Sequence, residues 1–367
     1  MKNIHLQHVE DLCFTKADPF IPLNILEQVY HFLCGINTSN TRISVKWDGA
    51  PAFICGKNPE NQRFFVGTKS VFSGKINYCH ADILENHESK GLQITLMELY
   101  DRLWYCDIPQ IIQGDVLWTK YRTGGEISFQ PNTLNYKIPH HFIISKYIRS
   151  CQIGCVFHTT YTGNKIKDME ANFGANAPEN AFQEQIYCFE PELPEEEMIA
   201  PGDWGKIETA ISSLRHRAID ISKTALATLG SNDLFQLYIN DCIRNDKLPY
   251  SNEFLSFVIR DYTKHQETLK TEKGKNVVFE KMTKYMAGLL VYCGDIFNYY
   301  LDLMRLKVIL VRELDKLNIS VNIYLPDGTP CGHEGYVVKS LGYTIKLVDR
   351  YTFSKANFNY DMEWKRK

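Results

Sequence analysis

Lys46 sits in the run Val45-Lys46-Trp47-Asp48-Gly49-Ala50-Pro51, just after the alternating segment Thr41-Arg42-Ile43-Ser44-Val45. Alternation of apolar and polar residues marks a half-buried strand. Asp48-Gly49 then signals a turn, because glycine accepts backbone angles that other residues avoid. A lysine held at a strand end beside a tight turn is placed to act as a nucleophilic amine, one that attacks phosphorus and carries a nucleotide covalently. Its ordinary pKa of about 10.4 leaves it protonated at neutral pH. Attack therefore requires desolvation or a nearby cation to release the proton. The plainer alternative is an ordinary hairpin turn with a solvated lysine.

Three further segments add groups that could serve such chemistry. Ile111–Trp118 is an apolar strand interrupted by Gly114-Asp115, and a carboxylate there is costly to bury unless it meets a cation or a donor. Gly154–Tyr161 is rich in β-branched and aromatic residues and carries Phe157 and His158. His333–Lys339 and Tyr343–Asp349 read as two strands meeting at Leu341-Gly342, a hairpin that sets Glu334, Lys339 and Lys346 on neighbouring strands. Each group also has a structural reading. Lys339 and Lys346 suit an edge strand that resists aggregation, Phe157 suits a core, Asp115 a turn, and His158 a backbone contact. Glu98 is set aside, because Leu92, Leu96, Leu99 and Leu103 recur at helical spacing and put it on the solvated face.

Taken in order, these segments resemble the lysine-adenylating superfamily of ATP-dependent DNA and RNA ligases, which also includes mRNA-capping enzymes. Lys46-Trp47-Asp48-Gly49 is similar to the nucleophile motif, and Gly67-Thr68-Lys69-Ser70 to the segment on the next strand. Gly114-Asp115 resembles the third motif, with Asp where the family usually has Glu. Val156-Phe157 resembles the motif whose aromatic ring stacks on the base. Glu334-Gly335-Tyr336-Val337-Val338-Lys339 resembles the Glu-Gly motif of phage-type RNA ligases, and Ile345-Lys346-Leu347 the last motif of the nucleotide pocket. Val348 stands where the family has a second lysine, with Arg350 or Lys355 as substitutes for that phosphate contact.

The resemblance implies an α+β fold: a nucleotidyltransferase core of antiparallel sheets with a large inserted α-helical domain. The family's DNA ligases and capping enzymes usually carry a further OB-type domain at the end; with 21 residues after Lys346, none is expected here, a departure from the family. It implies ATP and Mg²⁺ as cofactors, with Lys46 and Lys346 catalytic. Asp48, Gly49, Lys69, Asp115, Phe157, Glu334, Lys339 and Lys346 would surround the nucleotide, and Asp115 and Glu334 would hold the metal. The activity implied is ligation of 5′-phosphate and 3′-hydroxyl ends of nucleic acid through a Lys46–AMP intermediate, RNA favoured over DNA. The rivals are an adenylyltransferase with another acceptor, a GTP-dependent capping-type enzyme, and a non-catalytic nucleic-acid-binding scaffold on a decayed ligase fold.

The elements expected to position these residues divide at residues 1–200, 201–318 and 319–367, core, helical insertion and core again. The acidic, proline-bearing stretch between Pro191 and Trp204 is the expected linker. Residues 22–34 read as an amphipathic helix; Ile207–Leu229, Asp233–Arg244, Asn252–Leu269 and Val277–Leu317 read as further helices. At 367 residues, 44% hydrophobic and 23% charged, the chain has an ordinary globular composition. A net charge of −2 excludes a broadly basic nucleic-acid coat, so binding would need a local basic face. The 11 scattered cysteines lack zinc-like spacing and suit reduced thiols. Met1–Cys13 lacks the apolar core of a secretory leader, and Leu289–Val311 carries Asp295, Asp302, Arg305 and Lys307, unlike a membrane span. A cytoplasmic enzyme without membrane attachment is expected.

Overall fold

The alternating run Arg42–Lys46 forms a strand, β1, whose Ile43 and Val45 point into the protein. The computed structural model describes residues 6–36, 40–120, 122–123, 126–193, 204–317 and 321–354. The architecture is mixed α+β, in two compact units: Arg42–Pro194 with Asp315–Lys339, and Leu6–Thr41 with Glu195–Leu314 and Ser340–Lys367. The expected linker at Pro194-Glu195-Glu196-Glu197 lies outside the described residues.

In the first unit β1 is followed by β2 (Ala52–Lys57), β3 (Phe64–Gly67), β4 (Ile111–Trp118), β5 (Arg122–Thr123), β6 (Glu126–Phe129), β7 (Asn135–Pro139), β8 (Ile153–Thr162), β9 (Glu170–Phe173), β10 (Ile186–Phe189), β11 (Asn322–Tyr324), β12 (Pro330–Cys331) and β13 (Gly335–Ser340). One sheet has the order β10-β8-β4-β2-β3, with β9 added on β8; a second runs β12-β11-β7-β6-β5. Pairing is antiparallel except between β8 and β10. β1 pairs antiparallel with β13, register Lys46 to Gly335 and Arg42 to Lys339.

Successive side chains of β2 go to opposite faces of the larger sheet. Phe53 and Cys55 join Ile112, Val116 and Phe157 against Leu96, Leu99 and Leu103 of the helix Lys90–Leu103. That helix starts where Ser89 Oγ accepts the Leu92 N–H at 3.4 Å. Ile54 joins Phe65, Ile111 and Tyr161 on the other face, beneath Val71, Ile166 and Met169. Gly114 is required because a Cβ there would stand 2.6 Å from the Val156 carbonyl and 2.9 Å from Phe53.

The second unit is mostly helical: Phe20–Leu33, Trp204–Asp220, Lys223–Leu229, Leu234–Arg244, Ser251–Glu267, Glu272–Ala287 and Cys293–Asp315, with β14 (Tyr343–Leu347). The single helix expected over Ile207–Leu229 is two, because Ser222 Oγ caps a new start by accepting the Ala225 N–H at 3.2 Å. The helical stretch Val277–Leu317, expected to be interrupted, breaks after Ala287, and its first part begins earlier, where Thr271 Oγ1 accepts the Gly274 N–H. Inside this unit the buried Lys307 ammonium donates to Glu10 Oε1 at 2.7 Å, and Arg350 lies 3.4 Å from Asp11 Oδ1. No helix among the described residues is long and apolar enough to cross a membrane. All 11 cysteines are free thiols.

Candidate functional site

Lys46 is the last residue of β1, where the ladder sets it opposite Gly335. Glu334 immediately precedes β13, so its carboxylate meets Lys46 Nζ in a direct ion pair between residues 288 positions apart. Both side chains keep a route to water, Lys46 being 32% exposed and Glu334 13%. Burial pushes the Lys46 pKa down, but the Glu334 carboxylate outweighs it, with Asp115 and Asp48 adding to the pull, and the pKa stands above the ordinary lysine value. The ground state is therefore an ammonium held by a carboxylate.

The turn after Lys46 is built against β4. Ala50 N–H donates to the Val116 carbonyl at 2.9 Å, and Val116 N–H to the Pro51 carbonyl at 3.1 Å. Gly49 lies so close that a Cβ would stand 2.5 Å from the Asp115 Cβ. Glycine is thus needed for contact with the strand that carries the second carboxylate. Asp115 is opposite Ala52 in the ladder, and its Oδ2 lies 3.5 Å from His158 Nε2. A register shift between Gln113 and Gly114 leaves His158 as an extra residue in β8, since Gly114 pairs with Phe157 and Gln113 with Thr159. Such a bulge re-aims a side chain, and here it turns His158 to the Asp115 side. His158 Nδ1 is 2.7 Å from Thr159 Oγ1, which fixes the ring.

Other expected residues have different work. The Asp48 carboxylate is buried and accepts from Thr133 N–H and Leu134 N–H, each at 2.7 Å, and from the Asn132 amide at 2.8 Å. Asp48 N–H in turn donates to the Tyr136 hydroxyl at 3.0 Å. Asp48 therefore binds the turn after Lys46 to the loop before β7, and its oxygens are engaged by the protein itself. Phe157 is 1% exposed, edge-on to Phe53 at 5.5 Å within the core. A ring enclosed on both faces cannot stack on a base, so the adenine-platform expectation for Phe157 gives way to a core role. Lys69 is exposed in the 3₁₀ turn Lys69–Ser73 rather than on β3, and it follows Gly67, at the end of the sheet that carries Ala52 and Asp115. Lys339 pairs with Arg42, four residues along β1 from Lys46, or roughly 13 Å, and is not part of the cluster.

Lys346 belongs to the second unit, on β14, where its N–H donates to the Gln7 carbonyl at 2.9 Å. In that unit Val348 is buried, and Arg350 is committed to the Glu10 and Asp11 carboxylates. Lys355 lies outside the described residues.

Beneath Lys46, Trp47 is buried with its ring 4.4 Å from Phe189 and 5.3 Å from Tyr136 and from His333. His333 neighbours Glu334 and is fully enclosed; burial lowers its pKa to about 3, so the ring is neutral. This aromatic box fixes the backbone on either side of the Lys46–Glu334 pair. Neither the box nor the β8 bulge is marked by any local sequence pattern.

Residues 3–362 match DUF6267, a family of unknown function. The chain belongs to that family. No curated protein and no solved structure matches it. Among the described residues no group of three His, Cys, Asp or Glu side chains is gathered as a metal site. The oxygen ligands at hand are Asp115 and Glu334, both partly exposed and both acting electrostatically on Lys46. Two hard oxygen donors suit a magnesium ion that keeps most of its waters and shares a substrate phosphate.

Proposed function

We propose that this protein is an ATP-dependent polynucleotide ligase with a nucleotidyltransferase core, and that its helical block is an insertion in that core. The observation that supports it most is the Lys46–Glu334 pair, made by the first strand and the late Glu-Gly segment. Lys46 Nζ, released from Glu334 and with its proton lost to water, attacks the α-phosphorus of ATP. An N–P bond forms as the bond to pyrophosphate breaks. The 5′-phosphate of a nucleic acid then takes AMP from Lys46, and a 3′-hydroxyl displaces AMP to seal the ends, with RNA as the favoured acceptor.

Asp115 and Glu334 are the residues to hold Mg²⁺, which when bound neutralises charge on the phosphates. Charge placed in advance at the phosphorus is the main catalytic lever in such transfers. His158, fixed by Thr159, orients Asp115. Lys69, on the same end of the sheet, is available to the departing pyrophosphate.

The test is incubation with α-³²P-labelled ATP or GTP and Mg²⁺, followed by a denaturing gel, with Lys46→Ala alongside. Covalent label from ATP that is absent from the variant is expected. Label from GTP alone would replace the reading with a capping-type enzyme. Label from ATP without strand joining on RNA or DNA would point to another acceptor. No label with either nucleotide, from folded nucleotide-free protein, would leave a non-catalytic scaffold.

A further inference from the structure

At the end of β2 far from the Lys46 cluster, Lys57 and Arg63 border a cleft of about 480 Å³ whose other walls include Phe64, Tyr78 and Trp104. Lys57 is five residues along β2 from Ala52, the partner of Asp115, roughly 17 Å at the strand repeat. The cleft is therefore separate from Lys46, which lies on β1, a strand of a different sheet.

Trp104 is 51% exposed although it is large and aromatic. Its ring is held by an edge-to-face contact with Phe64 at 5.7 Å and by Tyr100 at 5.6 Å, which leaves indole surface open to water. Tyr78 is fixed by its hydroxyl, which accepts from Asn58 at 2.6 Å and Asn61 at 3.1 Å. The Arg63 guanidinium lies over the Tyr78 ring at 4.3 Å. Lys57 and Arg63 are exposed, and among the described residues neither forms an ion pair with a carboxylate. Two uncompensated cations beside an open, rigid indole complement a phosphate chain with unstacked bases. A duplex keeps its bases stacked and offers none to such a ring.

We propose that this cleft binds single-stranded polynucleotide, one base stacking on Trp104 and the flanking phosphates meeting Lys57 and Arg63. The inference deepens the ligase reading by giving the nucleic-acid strand a contact remote from Lys46, and it rests on that reading for its place in a reaction. A free mononucleotide shares the same base and phosphate chemistry, so it is included in the test.

The experiment is fluorescence anisotropy of a short fluorescein-labelled oligouridylate titrated with full-length protein, with unlabelled UMP as competitor. Trp104→Ala should weaken binding about tenfold, as loss of one base–aromatic stack does, and Trp104→Phe should restore most of it. The double variant Lys57→Gln/Arg63→Gln should flatten the plot of log affinity against log salt by about 1.4, two single-strand phosphate contacts. Circular dichroism would establish that the variants fold. No oligonucleotide binding by the wild type, or binding and salt slope unchanged in both sets of variants, would overturn the proposal. UMP competing as well as an unlabelled oligonucleotide would also overturn it, in favour of a mononucleotide site. Lys46 labelling from ATP should be the same in Trp104→Ala as in wild type. Failed labelling with the Trp104 effect intact would refute the ligase chemistry alone; normal labelling with no Trp104 effect would refute this cleft alone.

Discussion

The Lys46 ammonium is held by the Glu334 carboxylate in a direct ion pair. Because Glu334 keeps the Lys46 pKa above the ordinary value, the free amine is scarcer at neutral pH and its reactivity should climb as pH rises. Glu334→Gln removes the strongest source of that pull and should move the Lys46 reactivity profile to lower pH. Competitive acetylation across a pH series, read by mass spectrometry at Lys46, measures this without any nucleotide; coincident profiles would refute the coupling. His333 works in the opposite sense. Its folded pKa of about 3 lies below the value of about 6.5 for an unfolded histidine. The unfolded chain binds the extra proton, so stability falls as pH drops from about 6.5 toward 3, by up to about 1.4 kcal/mol per pH unit. His333→Phe suits the aromatic box and should flatten that acid limb in urea melts at several pH values. An unchanged limb would show that the ring is not held neutral.

At the scale of elements, the turn after Lys46 is pinned from two directions, by β4 through Gly49 and by the loop before β7 through Asp48. Asp48→Ala strands two backbone donors and an amide that now share its carboxylate. With unsatisfied buried donors costing about 1–3 kcal/mol each, the substitution should destabilise by about 3 kcal/mol in urea denaturation, and a loss below about 1 kcal/mol would contradict the pinning role. Gly49→Ala should act on both position and stability, because its Cβ must push the turn away from Asp115. Labelling by ATP and the melting temperature should both fall; full labelling would mean that the turn can shift without displacing Lys46.

On the scale of the whole molecule, each unit has its own means of holding distant chain segments. In the first, β13 returns after the helical block to pair with β1. In the second, the Lys307–Glu10 pair ties the segment at Glu10 to the helix Cys293–Asp315, and the Arg350–Asp11 pair ties that segment to the turn after β14. Lys307→Met would leave the buried Glu10 with only the Arg350 guanidinium, 3.8 Å away, and breaking one partner of a buried pair costs about 3–5 kcal/mol. The double variant Lys307→Met/Glu10→Gln should recover much of that. Equal stability of single and double variants in chemical denaturation would show that the pair is not coupled.

By itself the sequence determined the local features whose cause is local. Alternation made Arg42–Lys46 a strand, the leucine spacing made Lys90–Leu103 a helix, and the Lys46-x-Asp48-Gly49 run marked a strand end running into a turn. The two-residue turn at Leu341-Gly342 was also legible, and both residues adopt the positive φ such a turn needs, 51° and 77°. Tertiary structure decided what required a partner from elsewhere in the chain. Glu334 rather than any nearer carboxylate meets Lys46 because β13 pairs with β1. Phe157 is core and His158 faces Asp115 because one extra residue in β8 shifts the side-chain alternation beyond it. Asp48 was legible as a turn residue but not as a loop anchor, since its donors lie 84–86 positions away. Periodicity and turn chemistry act over a few neighbours, whereas registers, bulges and buried charge pairs are chosen by the packing of segments that meet only in the folded chain.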